Sequence, residues 1–175
     1  MSRAYEALLA SCADTDETAG VWRRSLESLG YVCNEEVFDL MRKAFSSGDE
    51  KSRVSAVFAM GRSGDACWEQ QVRGELASPN PELRFEAARA CGELELPEAV
   101  AELEGLVEDE DREVQQAALG ALGQIGGDKA RLILRRYCRS ADEATRAAAV
   151  AALDGLEFMG GDLAEIFGSL KAEAG

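Results

Sequence analysis

Residues 80–92 read NPELRFEAARACG, and the same pattern returns at 111–123 as DREVQQAALGALG. It appears upstream at 49–61 as DEKSRVSAVFAMG and downstream at 142–154 as DEATRAAAVAALD. The copies start at 49, 80, 111 and 142, a constant step of 31 without insertion. One step further back, 18–30 reads TAGVWRRSLESLG, a worn copy that still ends in Leu29-Gly30. Self-similarity at a fixed step of this size marks a solenoid, in which each repeat buries its apolar face only against its neighbours. Five copies exceed the roughly three that such a stack needs.

Each unit holds two helices, and the quoted stretch is the second. Residues 3–12 carry Tyr5, Leu8, Leu9 and Cys12 at helical spacing. Residues 17–30 follow, with Asp16 as the expected cap. Asn34 caps 35–46, where Val37, Leu40, Met41, Ala44 and Phe45 make one apolar stripe before Gly48. Asp49 caps 50–60, and 66–77 follows Gly64-Asp65. Ser78-Pro79-Asn80-Pro81 is a hard break, with Asn80 as cap and Pro81 where a missing N–H costs nothing. Helices are expected at 97–108, 111–122 and 129–139, then a Ser140-x-x-Glu143 capping box. A break at Gly160-Gly161-Asp162 is expected to precede a closing helix at 162–171, with Leu163, Ile166, Phe167 and Leu170 covering the end of the stack. The count is eleven helices in a single domain spanning 1–175.

Stacking the second helices gives columns. Val21, Ser52, Leu83, Val114 and Thr145 form one; Ser25, Ala56, Ala87, Ala118 and Ala149 a second; Leu29, Met60, Cys91, Leu122 and Leu153 a third. These share one helical face and read as core. A glycine column, Gly30, Gly61, Gly92 and Gly123, reads as helix ends.

Charge narrows the partner class. The chain carries 33 acids against 19 bases, a net −14, whereas phosphate-backbone binding needs clustered cations. Nucleic acid and anionic membrane are therefore not expected partners. The longest apolar run, 147–153, is too short to span a bilayer. Cys12, Cys33, Cys67, Cys91 and Cys138 are odd in number and lack C-x-x-C spacing. The N-terminus has no secretory pattern, so reduced thiols and a cytoplasmic location are expected.

The repeat pattern D-x-x-[VL]-R-x-x-A-A-x-A-L-G resembles the short HEAT-like repeats of the phycobilisome-lyase type. Residues 111–127, DREVQQAALGALGQIGG, follow it with Gln115 in place of the usual Arg, while Arg53, Arg84 and Arg146 keep that Arg. The resemblance covers about 18–156 and implies an all-α right-handed solenoid. It also implies that these arginines form a structural ladder with Asp49, Asp111 and Asp142, and that the outer stripe of the second helices is the concave surface.

On that stripe stand Arg23, Glu27 and Tyr31; Val54, Phe58 and Arg62; Phe85, Arg89 and Glu93; then Gln116, Gly120 and Gln124; and last Ala147, Ala151 and Gly155. The N-terminal half is large and mixed; the C-terminal half is small. Aromatic rings with arginines on a solvated face suit protein recognition. The expected partner-binding residues are Arg23, Arg24, Tyr31, Val54, Phe58, Arg62, Phe85 and Arg89. The two arginines nearest the rings favour an acidic partner segment. The competing expectation buries Phe58 and Phe85 as ordinary core.

Catalytic chemistry finds no support. The chain has no histidine, which removes a Cys–His nucleophile pair, His-bearing zinc sites and the His-Glu di-iron motif of HEAT-type hydroxylases. No P-loop or dinucleotide glycine pattern occurs. Residues 93–113 hold ten acids and only Arg112, without EF-hand spacing, and read as loop and cap charges. The sequence thus points to a non-enzymatic scaffold for another protein or peptide, without metal or cofactor. The resemblance keeps a second reading open, a bilin (tetrapyrrole) lyase subunit or chromophore-protein chaperone, and a lyase-like activity is the one enzymatic expectation. A HEAT-like DNA glycosylase is disfavoured by charge.

Overall fold

The computed structural model describes the backbone of residues 3–13 and 19–173, and side chains over 3–12 and 20–158. The described residues are helical, with no strand among them. They form α1 (Arg3–Ala13), α2 (Ala19–Leu29), α3 (Glu35–Ser46), α4 (Glu50–Ser63), α5 (Glu69–Glu75), α6 (Pro81–Glu93), α7 (Val100–Leu106), α8 (Arg112–Ile125), α9 (Gly127–Tyr137) and α10 (Glu143–Glu173). Short 3₁₀ turns at Ala66–Trp68 and Pro97–Ala99 open α5 and α7, so these helices begin later than the sequence suggests.

The caps sit in phase. Asn34 accepts from the Val37 N–H, Asp49 from Ser52, Asn80 from Glu82 and Asp111 from Glu113. The expected Ser140–Glu143 capping box is replaced. Asp142 caps α10, accepting from both the backbone N–H and the hydroxyl of Thr145 at 2.8 and 2.9 Å. Asp16, the expected cap of α2, lies outside the described residues.

Helices pair within a unit (α1 with α2, α3 with α4, α5 with α6, α7 with α8, α9 with α10), and α2, α4, α6, α8 and α10 pack on one another in series. The first helices of neighbouring units touch far less. A stack that is closer on one side curves toward that side, so the second helices form its inner layer. One core runs between the layers from Cys12 to Leu156 and includes Ala56, Ala87, Ala118 and Ala149 with Met60, Cys91 and Leu122, all fully buried.

The glycine column is corrected. Gly61, Gly92 and Gly123 lie inside α4, α6 and α8, while the left-handed glycines are Gly64, Gly126 and Gly127. The column exists for close approach. A Cβ on Gly61 would fall 2.8 Å from the Ala90 Cα, and one on Gly92 2.9 Å from the Ala121 Cα.

The arginine ladder is also corrected. Arg84 does not meet the capping Asp111. It donates two parallel bonds of 2.8 Å to Asp109 and another to the Ser78 carbonyl. Gln115 and Arg146 likewise reach carbonyls of the loop before their own helix, those of Asp109 and Ser140, while Arg53 reaches the Phe45 carbonyl in the last turn of α3. The recurring position is thus a loop clamp, because the capping carboxylates already serve backbone N–H groups.

The break expected at Gly160-Gly161 is absent: α10 runs through it, and 162–171 is not a separate helix. Two glycines cost a helix about 1 kcal/mol each, which flanking helix formers offset when no proline follows. The side chains expected to close the stack lie outside the described ones.

All five cysteines are free thiols, with Cys33 and Cys67 exposed and Cys12 and Cys91 buried. Burial raises the Cys91 thiol to about 12 and that of Cys12 to about 11. A thiol reagent at neutral pH should therefore label Cys33 rapidly and Cys91 only on unfolding. Labelling of Cys91 in the folded protein as fast as Cys33 would contradict its place in the core.

Candidate functional site

The inner face of α4 and α6 carries the residues that the sequence singles out. Val54 packs on the core. Phe58 and Phe85 are half-buried and outside the core proper. Their cover is cationic. The Arg62 and Arg89 guanidinium carbons each lie 5.3 Å from the centre of the Phe58 ring, and Arg89 also stands 6.0 Å from Phe85. Arg62 reaches the exposed Tyr31 ring at 5.4 Å. Cation–π contact of this kind contributes about 0.5–1 kcal/mol each at partly exposed sites.

Repeat geometry makes the cluster. Residues one unit apart stand side by side in successive layers, which brings Tyr31, Arg62 and Glu93 into one row and Phe58 beside Arg89. The remaining predicted residues are dispersed. Arg23 lies on α2 near Asp49, whose carboxyl it helps to hold low after the Ser52 bonds. Arg24 is exposed and takes no part in the ring contacts.

Sequence reasoning placed Glu27 and Glu93 on the stripe but missed what they pair with, and missed Glu86. Arg89 bonds Glu86 at 3.0 Å and Glu93 at 2.9 Å, and Arg62 stands 3.7 Å from Glu93. On the α2 side, Ser55 donates to Glu27 at 2.6 Å. Burial pushes the Glu86 carboxyl above its ordinary range, against the pull of Arg89. Beside the rings, a cleft of about 280 Å³ is lined by Val54, Phe85 and Pro81 with Glu82, Glu86, Asp111 and Glu113, and no base. The expectation of an acidic partner is therefore corrected. Arg62 and Arg89 are already neutralised, and the open part of the face is anionic. The signal was present as Glu82 and Glu86 flanking Phe85, but Asp111 and Glu113 arrive from the next unit.

The C-terminal half of the face is open and small, as its residues suggest. A cleft of about 460 Å³ there is lined by Gly120, Ala151, Gly155 and Leu156, with Glu95 at its edge. Among the described residues no group of acids and cysteines could hold a metal ion, and no helix is long and apolar enough to cross a membrane.

Paired helices stacked in two layers over one continuous core define an α-solenoid. Residues 69–154 match the family model for HEAT repeats, and the chain is a HEAT-like repeat protein. Its fold is similar to that of the phycocyanin lyase complex of CpcE and CpcF from Nostoc sp. PCC7120, with a TM-score of 0.68 and 20% identity over 87% of this chain. The match spans 64% of that longer chain. It is similar as well to human deoxyhypusine hydroxylase, at TM-score 0.54 and 17% identity over 89% of this chain and 74% of that one. The Pds5–Scc1 complex gives TM-score 0.57 and 12% identity over 85% of this chain and 28% of that one. At these identities the likeness concerns the fold. No curated protein matches the chain.

Proposed function

We propose that the protein is a non-enzymatic scaffold whose inner face holds a segment of a partner protein over Tyr31, Val54, Phe58 and Phe85. The observation that carries this reading is the position of Phe58 and Phe85, outside the core and covered by arginine side chains. Large rings that repeat packing does not require are typical anchors of recognition. Two of the similar structures are complexes between proteins, which agrees with this use of the fold. The acids of the Val54–Phe85 cleft favour a partner segment with an apolar residue flanked by Lys or Arg.

Phe58→Ala and Phe85→Ala should each weaken capture of the partner by about 2 kcal/mol, roughly 30-fold, with little change in Tm. The protein retained by wild type and lost by both variants is the partner. A fall in Tm as large as the loss of binding would mean that the rings hold the fold, and the reading would fail. The likeness to phycocyanin lyase supports a second reading, handling of a bilin. Visible absorbance that stays with the chain after mixing with bilin and gel filtration would favour that one.

A further inference from the structure

We infer that α9 is a second interaction surface of opposite sign, built for an acidic amphipathic segment of another protein. Residues 127–139, GDKARLILRRYCR, hold five bases against one acid in a chain of net −14. The structure gathers four of them around apolar ground. Lys129, Arg135, Arg136 and Arg139, with Glu104 as the one acid, line a shallow cleft of about 810 Å³ together with Leu132 and Ile133. Leu132 is 72% exposed, although Ala130, Ile133 and Leu134 of the same helix are buried against the core. Packing of the solenoid therefore does not account for Leu132.

The cations are only partly used within the chain. Arg136 pairs with Glu104 at 2.7 Å and Arg135 with Glu157 at 3.3 Å, both at the surface, where such pairs contribute little and are easily exchanged. Lys129 lies near Glu102 without a salt bridge, and Arg139 has no carboxylate in salt-bridge range among the described residues. The patch lies on the outer layer, on another helix from the inner-face cluster, so both surfaces can be occupied together.

Charge complementarity selects the occupant. The local cations attract carboxylates within a Debye length of about 8 Å, whereas a phosphate polymer extending past the patch meets the acidic remainder of the chain. Exposed Leu132 gains nothing from a phosphate backbone but gains contact with an apolar side chain. The fit is a helix with Leu or Ile on one face and Asp or Glu beside it.

The test uses the whole chain and a fluorescein-labelled peptide with leucines at i and i+4 flanked by glutamates. Anisotropy should show saturable binding that weakens as salt rises. Arg135→Glu with Arg139→Glu should weaken it at least about tenfold, as should replacing the peptide's glutamates by glutamine. Leu132→Ser, a change at an exposed position that leaves the core untouched, should weaken it several-fold with Tm unaltered. Absence of binding would overturn the inference. So would equal binding of a single-stranded oligonucleotide, or self-association of the wild-type chain that the Arg135/Arg139 variant abolishes. Phe58→Ala should leave peptide binding unchanged, so the two surfaces fail or succeed separately.

Discussion

Asp109→Ala should destabilise the protein by about 3 kcal/mol, a loss of roughly 6–12 °C in Tm for a chain of this size. Asp109 sits in the turn between α7 and α8, and its side chain is 7% exposed. It accepts both arms of the Arg84 guanidinium, itself 13% exposed, and its Oδ1 also accepts the Asp111 N–H at 2.8 Å. Removing the carboxylate leaves a nearly buried cation with only the Ser78 and Pro79 carbonyls. An uncompensated buried charge is costly, whereas losing an exposed pair is not. Arg112→Ala, which breaks the exposed 3.5 Å pair with Asp142, should therefore change stability by about 0.5 kcal/mol or less. The Arg84 bonds hold the Asp109 carboxyl below its ordinary value of 3.8. A depressed acid contributes stability that is complete above 3.8 and is lost as pH falls through the lower folded value. Wild type should thus lose stability between 3.8 and that lower value more steeply than Asp109→Asn. Because Asp109 links the α5–α6 unit to the next one, its loss should also broaden the thermal transition. A variant that melts like wild type would show that the pair is not a tie between units.

The parts that were legible in the sequence are those decided by local rules. A cap needs one side chain and an N–H two or three residues on, so Asn34, Asp49, Asn80 and Asp111 could be read directly. The core columns were legible from Leu83 to Leu122, because a fixed step places like residues on like faces, but Val21, read as core in the same column, is 42% exposed. Features decided between units were not legible. Asp109, Glu110 and Asp111 are equivalent in sequence as partners for Arg84, and only the turn selects Asp109. The charge of the inner face was misjudged partly for the same reason and partly because the pairs of Arg89 with Glu86 and Glu93, three and four residues away on α6, were left unread. Arg62 and Arg89 stand out beside the rings, but Glu86 and Glu93 neutralise them, and Asp111 and Glu113 of the following unit set the sign of the cleft.

Gly61→Ala should destabilise the protein by about 1–3 kcal/mol, while Gly120→Ala, also inside a second helix, should stabilise it by about 0.5–1 kcal/mol. In an isolated helix both substitutions would help, since alanine loses less backbone entropy than glycine. Tertiary contact reverses the sign at one position only. The added Cβ at Gly61 would lie 2.8 Å from both Cα and Cβ of Ala90, and backbone atoms of α6 cannot yield as the end of a long side chain can. At Gly120 nothing lies within 4 Å, because that residue faces the open half of the inner surface. Relief of the clash forces α4 and α6 apart, which loosens the tight layer on which the curvature of the stack depends. Ala90→Gly removes the Cβ but not the Cα at 2.8 Å, so it should rescue Gly61→Ala only in part, with a double-mutant coupling of about 0.5–1 kcal/mol between residues in direct contact. The same substitution pattern should hold at Gly92 and Ala121, where the approach is 2.9 Å. Thermal melts of the single and double variants decide the matter: stabilisation by Gly61→Ala, or its failure to couple to Ala90→Gly, would mean that the glycine column does not set the spacing of the layers.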